Sequence, residues 1–182
     1  MEIIRKTIEK DLDYLRQISE TVDINDKNYL EDIIPLSKYC KDNNQFLALA
    51  AIQIGIPKRI IYLRKTTTES IYDDNHDEEI IMINPVILEE SGKTKYLEAC
   101  GSCLDNSGVV IRPYKIKLEY LDIDGNKHIE DIEGFKTTVI CHEVDHLNGI
   151  LHMDKSIELF HMNFEERKKY REEHPYEIIS KE

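Results

Sequence analysis

Val139-Ile-Cys-His-Glu-Val-Asp-His-Leu-Asn-Gly149 decides how the chain is read. It contains His-Glu-x-x-His, and on a helix of about 3.6 residues per turn His142 and His146 stand one turn apart, able to offer two imidazoles to a single metal ion. Glu143 then points to one side with its carboxylate free, the position of a catalytic base. Ile140, Val144 and Leu147 form an apolar stripe on the same helix, so its other face belongs in a core, and Gly149 is placed to end it. The pattern predicts a metal held inside the fold, with a third protein ligand coming from elsewhere, because catalytic zinc-type sites use three protein ligands and a water.

The rest of the composition narrows the class. A length of 182 residues fits one domain, 1–182, with a substantial core around one buried helix. The formal net charge of -12 argues against stable nucleic-acid binding and against anionic membranes, both of which require clustered Lys and Arg; nothing in the acidic tail indicates contact with a ribosome. There is no apolar run near the roughly 20 residues needed to span a bilayer, and the chain starts on charges rather than a signal-type segment, so the reading is a cytoplasmic protein. Four cysteines, Cys40, Cys100, Cys103 and Cys141, are then thiols or ligands rather than a disulfide framework.

Working outward from the metal helix, residues 11–19 and 30–40 show helical spacing, with a helix expected after Pro35 that packs through Leu36, Tyr39 and Cys40. Phe46 to Gly55 is an apolar run broken only by Gln53, an amide that needs a partner. Arg59–Arg64 and Glu79–Glu89 read as strands, the second bent or ended at Asn84-Pro85. Between them, 66–78 reads as an acidic surface loop carrying an exposed His76. Lys115–Tyr120 alternates cleanly, Asp124-Gly125 signals a two-residue hairpin turn, and His128–Ile132 pairs back. The tail, Phe164–Tyr170, is a charged helix with a solvated face, stopped at His174-Pro175. The expected class is α+β: antiparallel or mixed strands around a central metal-binding helix, flanked by N- and C-terminal helices.

Searching upstream for the third ligand leads to Glu98-Ala-Cys-Gly-Ser-Cys103. The order Ala-Ala-x-Gln53, then Glu98-x-Cys100-x-Ser102, then His142-Glu-x-Asp-His146 resembles the three motifs of the peptide deformylase family, over roughly residues 46 to 155. The resemblance implies Cys100, His142 and His146 as metal ligands and Glu143 as the catalytic carboxylate. It also implies the Gln53 amide and the Gly101 backbone N–H as oxyanion donors, with Glu98 and Arg112 as a supporting pair. The implied activity is metal-dependent removal of the formyl group from the N-terminal methionine of new polypeptides: a metal-activated hydroxide attacks the formyl carbon and formate leaves. The implied cofactor is one divalent ion, Fe2+ favoured, with Zn2+ or Ni2+ also suited to a thiolate and two imidazoles; the implied partners are N-formylmethionyl peptides, lying along Leu47 and Ala48.

The chain departs from that pattern at specific places. Phe46 and Ala48 stand where the family has glycines that let an extended peptide approach the backbone, and Gly101 replaces a leucine. Cys103 makes Cys100-Gly-Ser-Cys103 with His142 and His146 a possible four-ligand set, which closes the site and describes a non-catalytic, deformylase-like binding protein. A zinc endopeptidase rests on His-Glu-x-x-His alone. His128, His152, His161 and His174 have no partners at ligand spacing, and Cys40 and Cys141 read as packing residues.

Overall fold

The computed structural model describes residues 3–26, 28–43, 46–64 and 79–182. The expected loop at 66–78, with His76, falls outside them. Two antiparallel sheets carry the fold. The first has the order β1-β2-β3-β6-β7, formed by Ala48–Ala50, Ile60–Arg64, Glu79–Ser91, Lys115–Leu121 and Lys127–Glu133. The second has the order β8-β5-β4-β9, formed by Ser156–His161, Asn106–Arg112, Lys93–Ala99 and Glu177–Ser180. All strand pairs among these are antiparallel, which settles the choice left open between antiparallel and mixed.

The first sheet is covered on both faces, and β2 shows it most clearly, since all five of its residues are buried. Successive side chains of a strand point to opposite faces. Ile61 and Leu63 accordingly join Met82, Ile116 and Leu118 under the helix α3, Phe135–Leu147, which contributes Ile140, Cys141, Val144 and Leu147. Ile60 and Tyr62 join Ile81 and Ile83 under α2, Tyr29–Asp42, which contributes Tyr29, Ile33, Leu36 and Cys40. The stripe predicted for α3 is therefore the one that packs. All four cysteines are free and buried.

Three expectations are corrected, and of the bend or end expected at Asn84-Pro85 the bend is found. α2 does not begin after Pro35 but runs through it; the missing proline N–H forfeits one helical hydrogen bond, outweighed by a buried stripe that spans both sides of the proline. β3 is not ended at Asn84-Pro85 but bent there: Asn84 takes φ 52° and the pairing with β6 shifts register. The Asn84 side chain ties this bulge to the N-terminal segment, accepting from Val22 N at 2.8 Å and donating to Val22 O at 2.9 Å. The β6–β7 hairpin keeps its expected alternation, but its turn spans residues 122–126 rather than two. Asp122 holds that loop by accepting from the N–H groups of Asp124 and Asn126, a local turn device that competes with a tight two-residue turn. Finally, β4, β5, β8 and β9 form a whole second sheet where no strands were expected.

At the C-terminus, α5, Phe164–Glu173, buries none of its residues, as its charge pattern predicts. A reciprocal cap between Asn163 and Glu166 starts it, and Arg171 fastens it to the Leu97 carbonyl at 3.0 and 3.1 Å. α1, Ile8–Leu15, lies at the other end, and the chain beyond it delivers Ser19 N–H to Leu147 O at 2.9 Å, at the end of α3.

Gly149 closes α3 in the left-handed region, φ 71°, with its N–H on His146 O and that of Ile150 on Asp145 O. A side chain there meets the Arg16 carbonyl. Gly149→Ala is expected to lose at least about 2 kcal/mol, from the left-handed strain and the collision together, read as a fall of several degrees in Tm by thermal unfolding; an unchanged Tm contradicts this packing.

Candidate metal centre

Three elements converge on one point. β4 ends at Ala99 and delivers Cys100; α3 delivers His142, Glu143 and His146; the 310 turn Ala51–Ile54 that follows β1 delivers Gln53. The ligand atoms of Cys100, His142 and His146 all lie within 4.8 Å of one another, with Cys100 Sγ 3.2 Å from His146 Nε2. His142 bonds Glu98 Oε2 through Nδ1 at 2.8 Å, which leaves its Nε2 for the centre.

Glu98 is itself held by a fork: Arg112 Nε donates to Oε1 at 2.7 Å and Nη2 to Oε2 at 2.9 Å. The other arm of Arg112 binds Asp145, and Lys155 donates to Asp145 at 2.7 Å. Charges alternate along Lys155, Asp145, Arg112 and Glu98 until they reach His142. Arg112 is only 3% exposed, so each buried charge needs its opposite. Burial by itself raises the Glu98 carboxyl, but Arg112 and His142 override it and hold it down at about 2.

The donor set fits a cation. A hydrogen bond from Cys103 lowers the Cys100 thiol well below its usual range, burial opposes this, and His146 and His142 add to it. Burial disfavours a proton on His142, yet Cys100 and Glu98 outweigh burial and raise it well above the ordinary range. The Cys100 sulfur and the buried Glu98 carboxylate thus make this point electrostatically favourable to positive charge. One thiolate and two imidazoles are a ligand set for a transition metal with an open position.

Cys103 lies outside the three-ligand group. Its thiol serves as a donor to Cys100, and burial together with that bond pushes it up; it packs fully buried with Leu151, Ile8 and Met153. Glu143 is 6% exposed and its Oε2 has no partner among the described residues. Burial raises its carboxyl, against the lowering effect of His142 and His146. Gln53 does find the partners a buried amide needs. Its Oε1 accepts from Ala50 N at 3.0 Å, and its Nε2 donates to Cys100 Sγ at 3.3 Å and Ser102 Oγ at 3.1 Å. Gly101 opens a single 310 turn, Gly101–Cys103, the first N–H groups of which have no partner within the turn. Leu47 and Ala48 lie at the start of β1, which is an edge of its sheet.

This arrangement has counterparts of known activity. The profile of the family described as polypeptide deformylase matches residues 4–162. The chain belongs to the peptide deformylase family. A peptide deformylase of Pelagibacter ubique is 37% identical over 144 residues, covering 77% of this chain and 78% of that one; a peptide deformylase of Rhizobium meliloti is 35% identical over 144 residues, covering the same shares. Among solved structures, a probable peptide deformylase of Synechococcus phage S-SSM7 superposes with TM-score 0.73 at 33% identity, covering 85% of this chain and 99% of that one. The Met-Ala-Ser-bound peptide deformylase of Acinetobacter baumannii superposes with TM-score 0.72 at 28% identity, covering 85% and 98%. The chain is thus a deformylase, a hydrolase that removes the N-formyl group from nascent peptides and works with a single metal ion.

The reading of the sequence left three residues unassigned that the structure brings to this deformylase centre. Asp145 and Lys155 extend the charge chain; the signal for Asp145 was its place between the two histidines. His152, read as having no partner, stacks on the His142 ring, with centroids 5.7 Å apart and planes at 22°. It is 1% exposed and neither ring nitrogen has a hydrogen-bond partner among the described residues; burial pushes its pKa down to about 4. A neutral imidazole there leaves a donor and an acceptor unsatisfied. His152→Phe preserves the stacked ring and removes both, so it is expected to stabilise the fold by about 1–2 kcal/mol. Differential scanning calorimetry should read this as a rise of about 2–8 °C in Tm, and a fall would show that His152 has a partner.

Proposed function

We propose that Cys100, His142 and His146 hold the metal ion of this deformylase, that the ion in the cell is Fe2+, and that Glu143 is its acid–base residue. The observation that carries this is the meeting of three ligand atoms within 4.8 Å beside a buried carboxylate oxygen with no partner among the described residues. Zn2+ and Ni2+ suit the same donors. When bound, the ion supplies Lewis acidity, bringing the pKa of a coordinated water toward neutrality.

The chain's own groups do the rest. Glu143 takes a proton from the attacking water; its raised affinity for protons, set by burial, lets it hold that proton and pass it to the departing amine. As the formyl oxygen gains charge, Gln53 Nε2 and the Gly101 N–H are its donors. Gln53 is pre-aimed for this, because Ala50 anchors its carbonyl and its N–H2 already reaches the Cys100 sulfur. Glu98, steadied by Arg112, keeps His142 in one tautomer and one orientation. The peptide lies along Leu47 and Ala48 as an added strand on the open side of β1, its methionine amine directed at Glu143.

The substrates are N-formylmethionyl peptides. The whole chain, 1–182, acts as one deformylase domain in the cytoplasm, without stable nucleic-acid or membrane association. Supporting this, no helix among the described residues is long and apolar enough to cross a membrane, and the net charge is -12.

The test is formate release from formyl-Met-Ala-Ser by protein purified anaerobically and loaded with Fe2+ or Ni2+. Absence of formate with both ions refutes the proposal. Glu143→Gln is expected to retain stoichiometric metal while losing about 10²–10⁴-fold in kcat. Cys100→Ser, by contrast, is expected to lose the metal itself, measured by elemental analysis after dialysis, because a hydroxyl does not replace a thiolate as a ligand.

A further inference from the structure

Gly101 has no side chain, and its space is taken by a residue from the other end of the chain. A Cβ built on Gly101 would lie 2.5 Å from Arg5 Nη1, 2.8 Å from Arg5 Cζ and 3.0 Å from Phe46 Cε1. The guanidinium of Arg5 lies over the Phe46 ring, 5.3 Å from its centroid, and Phe46 is backed by Tyr39 with centroids 6.0 Å apart. The Lys6 N–H donates to Gln53 O at 2.7 Å, which fixes the backbone next to Arg5 against the same turn that carries the oxyanion donor Gln53. A remote arginine is thus built into the position of a side chain on residue 101.

This arginine has no counter-charge among the described residues. No carboxylate pairs with Arg5 among the described residues, and its Nε is buried without an acceptor. The cation–π contact with Phe46 holds the guanidinium plane but satisfies none of its N–H groups. Among the described residues, Arg5 is thus a partly buried arginine beside Gly101 with no acid paired to it, able to accept one from outside the chain.

The location says from where. Phe46 immediately precedes Leu47 and Ala48, so Arg5 stands at the end of the peptide groove that lies farthest along the strand from Ala50 and Glu143. An extended peptide advances about 3.3 Å per residue, which brings the first two residues after the formylmethionine into the reach of a long side chain at that end. Carboxylates are the anions an unmodified nascent peptide carries.

We propose that Arg5, seated in the space of a Gly101 side chain, is a specificity-determining residue that receives an acidic side chain from the first two residues following formylmethionine. This rests on the placement of the groove and of Gly101 given under Proposed function. The preference runs against the overall negative field of the protein, so it is local, and it is a matter of binding rather than of the chemical step.

The test compares KM and kcat of the metal-loaded full chain on formyl-Met-Glu-Ala-amide, formyl-Met-Gln-Ala-amide, formyl-Met-Ala-Glu-amide and formyl-Met-Ala-Gln-amide. One of the two Glu peptides is expected to exceed its Gln counterpart by about tenfold in kcat/KM, carried by KM, as a charge-assisted hydrogen bond supplies. Arg5→Gln is expected to erase that ratio by raising the KM of the favoured Glu peptide to that of its Gln counterpart, and Arg5→Lys to restore part of it. Equal KM for Glu and Gln peptides at both positions, a Glu preference that survives Arg5→Gln, or an equal loss on all four peptides each overturns the proposal, the last by showing that Arg5 only supports Phe46. If no peptide yields formate, the functional reading fails on its own. Calorimetric binding of the same four peptides to the Ni2+-loaded Glu143→Gln protein, with and without Arg5→Gln, then decides the Arg5 proposal separately.

Discussion

Arg112 is the residue through which two strands of the second sheet and the metal helix are bound into one electrostatic unit. It sits on β5, forks onto Glu98 of β4 and reaches Asp145 of α3. Three buried ionic groups in low dielectric are tolerated only as a set; taking one away strands the others at a cost of about 3–5 kcal/mol. The same set aims His142. The constraint that keeps charges compensated inside the protein is therefore also the constraint that orients a ligand, and the geometry of the centre inherits the stability of the core around it.

The hydrophobic packing divides the labour in a different way. The first sheet takes helices on both faces, so β2 sits where neither side sees water. The second sheet carries Cys100 at the end of β4 and buries most of β5, while its outer strands β8 and β9 are largely exposed and α5 is attached by a cap and arginine–carbonyl bonds rather than by a buried stripe. The centre lies between the two sheets' elements, with its histidines on the helix that covers the first sheet and its thiol at the end of a strand of the second. The proposed metal ion would join the two.

What could be read in the sequence follows from the range of the interactions involved. α3, with His142, Glu143 and His146, and the alternating strand Lys115–Leu121 are written in local periodicity, and local periodicity was enough for them. Cys100 was found only through a resemblance, because no pattern on one helix states which thiol about forty residues away will fold back to it. The strands of the second sheet escaped because Lys93–Ala99 mixes buried and half-exposed residues without alternation and Glu177–Ser180 is exposed almost throughout; only the β-branched Val109-Val110-Ile111 carried a signal. Pro35 misled for the opposite reason, a strong local rule outweighed by tertiary burial. Asp145, Lys155, His152 and Arg5 take their roles from neighbours in space that no spacing along the chain encodes.

The brevity of β1 has a meaning beyond the site. A sheet edge is a row of unpaired amides and carbonyls, open to any extended chain and a hazard for aggregation. Here one edge, β7, is interrupted by Lys127, Glu130, Asp131 and Glu133, charges that repel a second sheet. The other edge is only three residues, Ala48–Ala50. That is too short to template the stacking of whole proteins, yet it leaves room for the few residues of a peptide that the proposed groove would pair with. Protection from self-association and the proposed admission of a peptide along β1 are compatible in the same short edge.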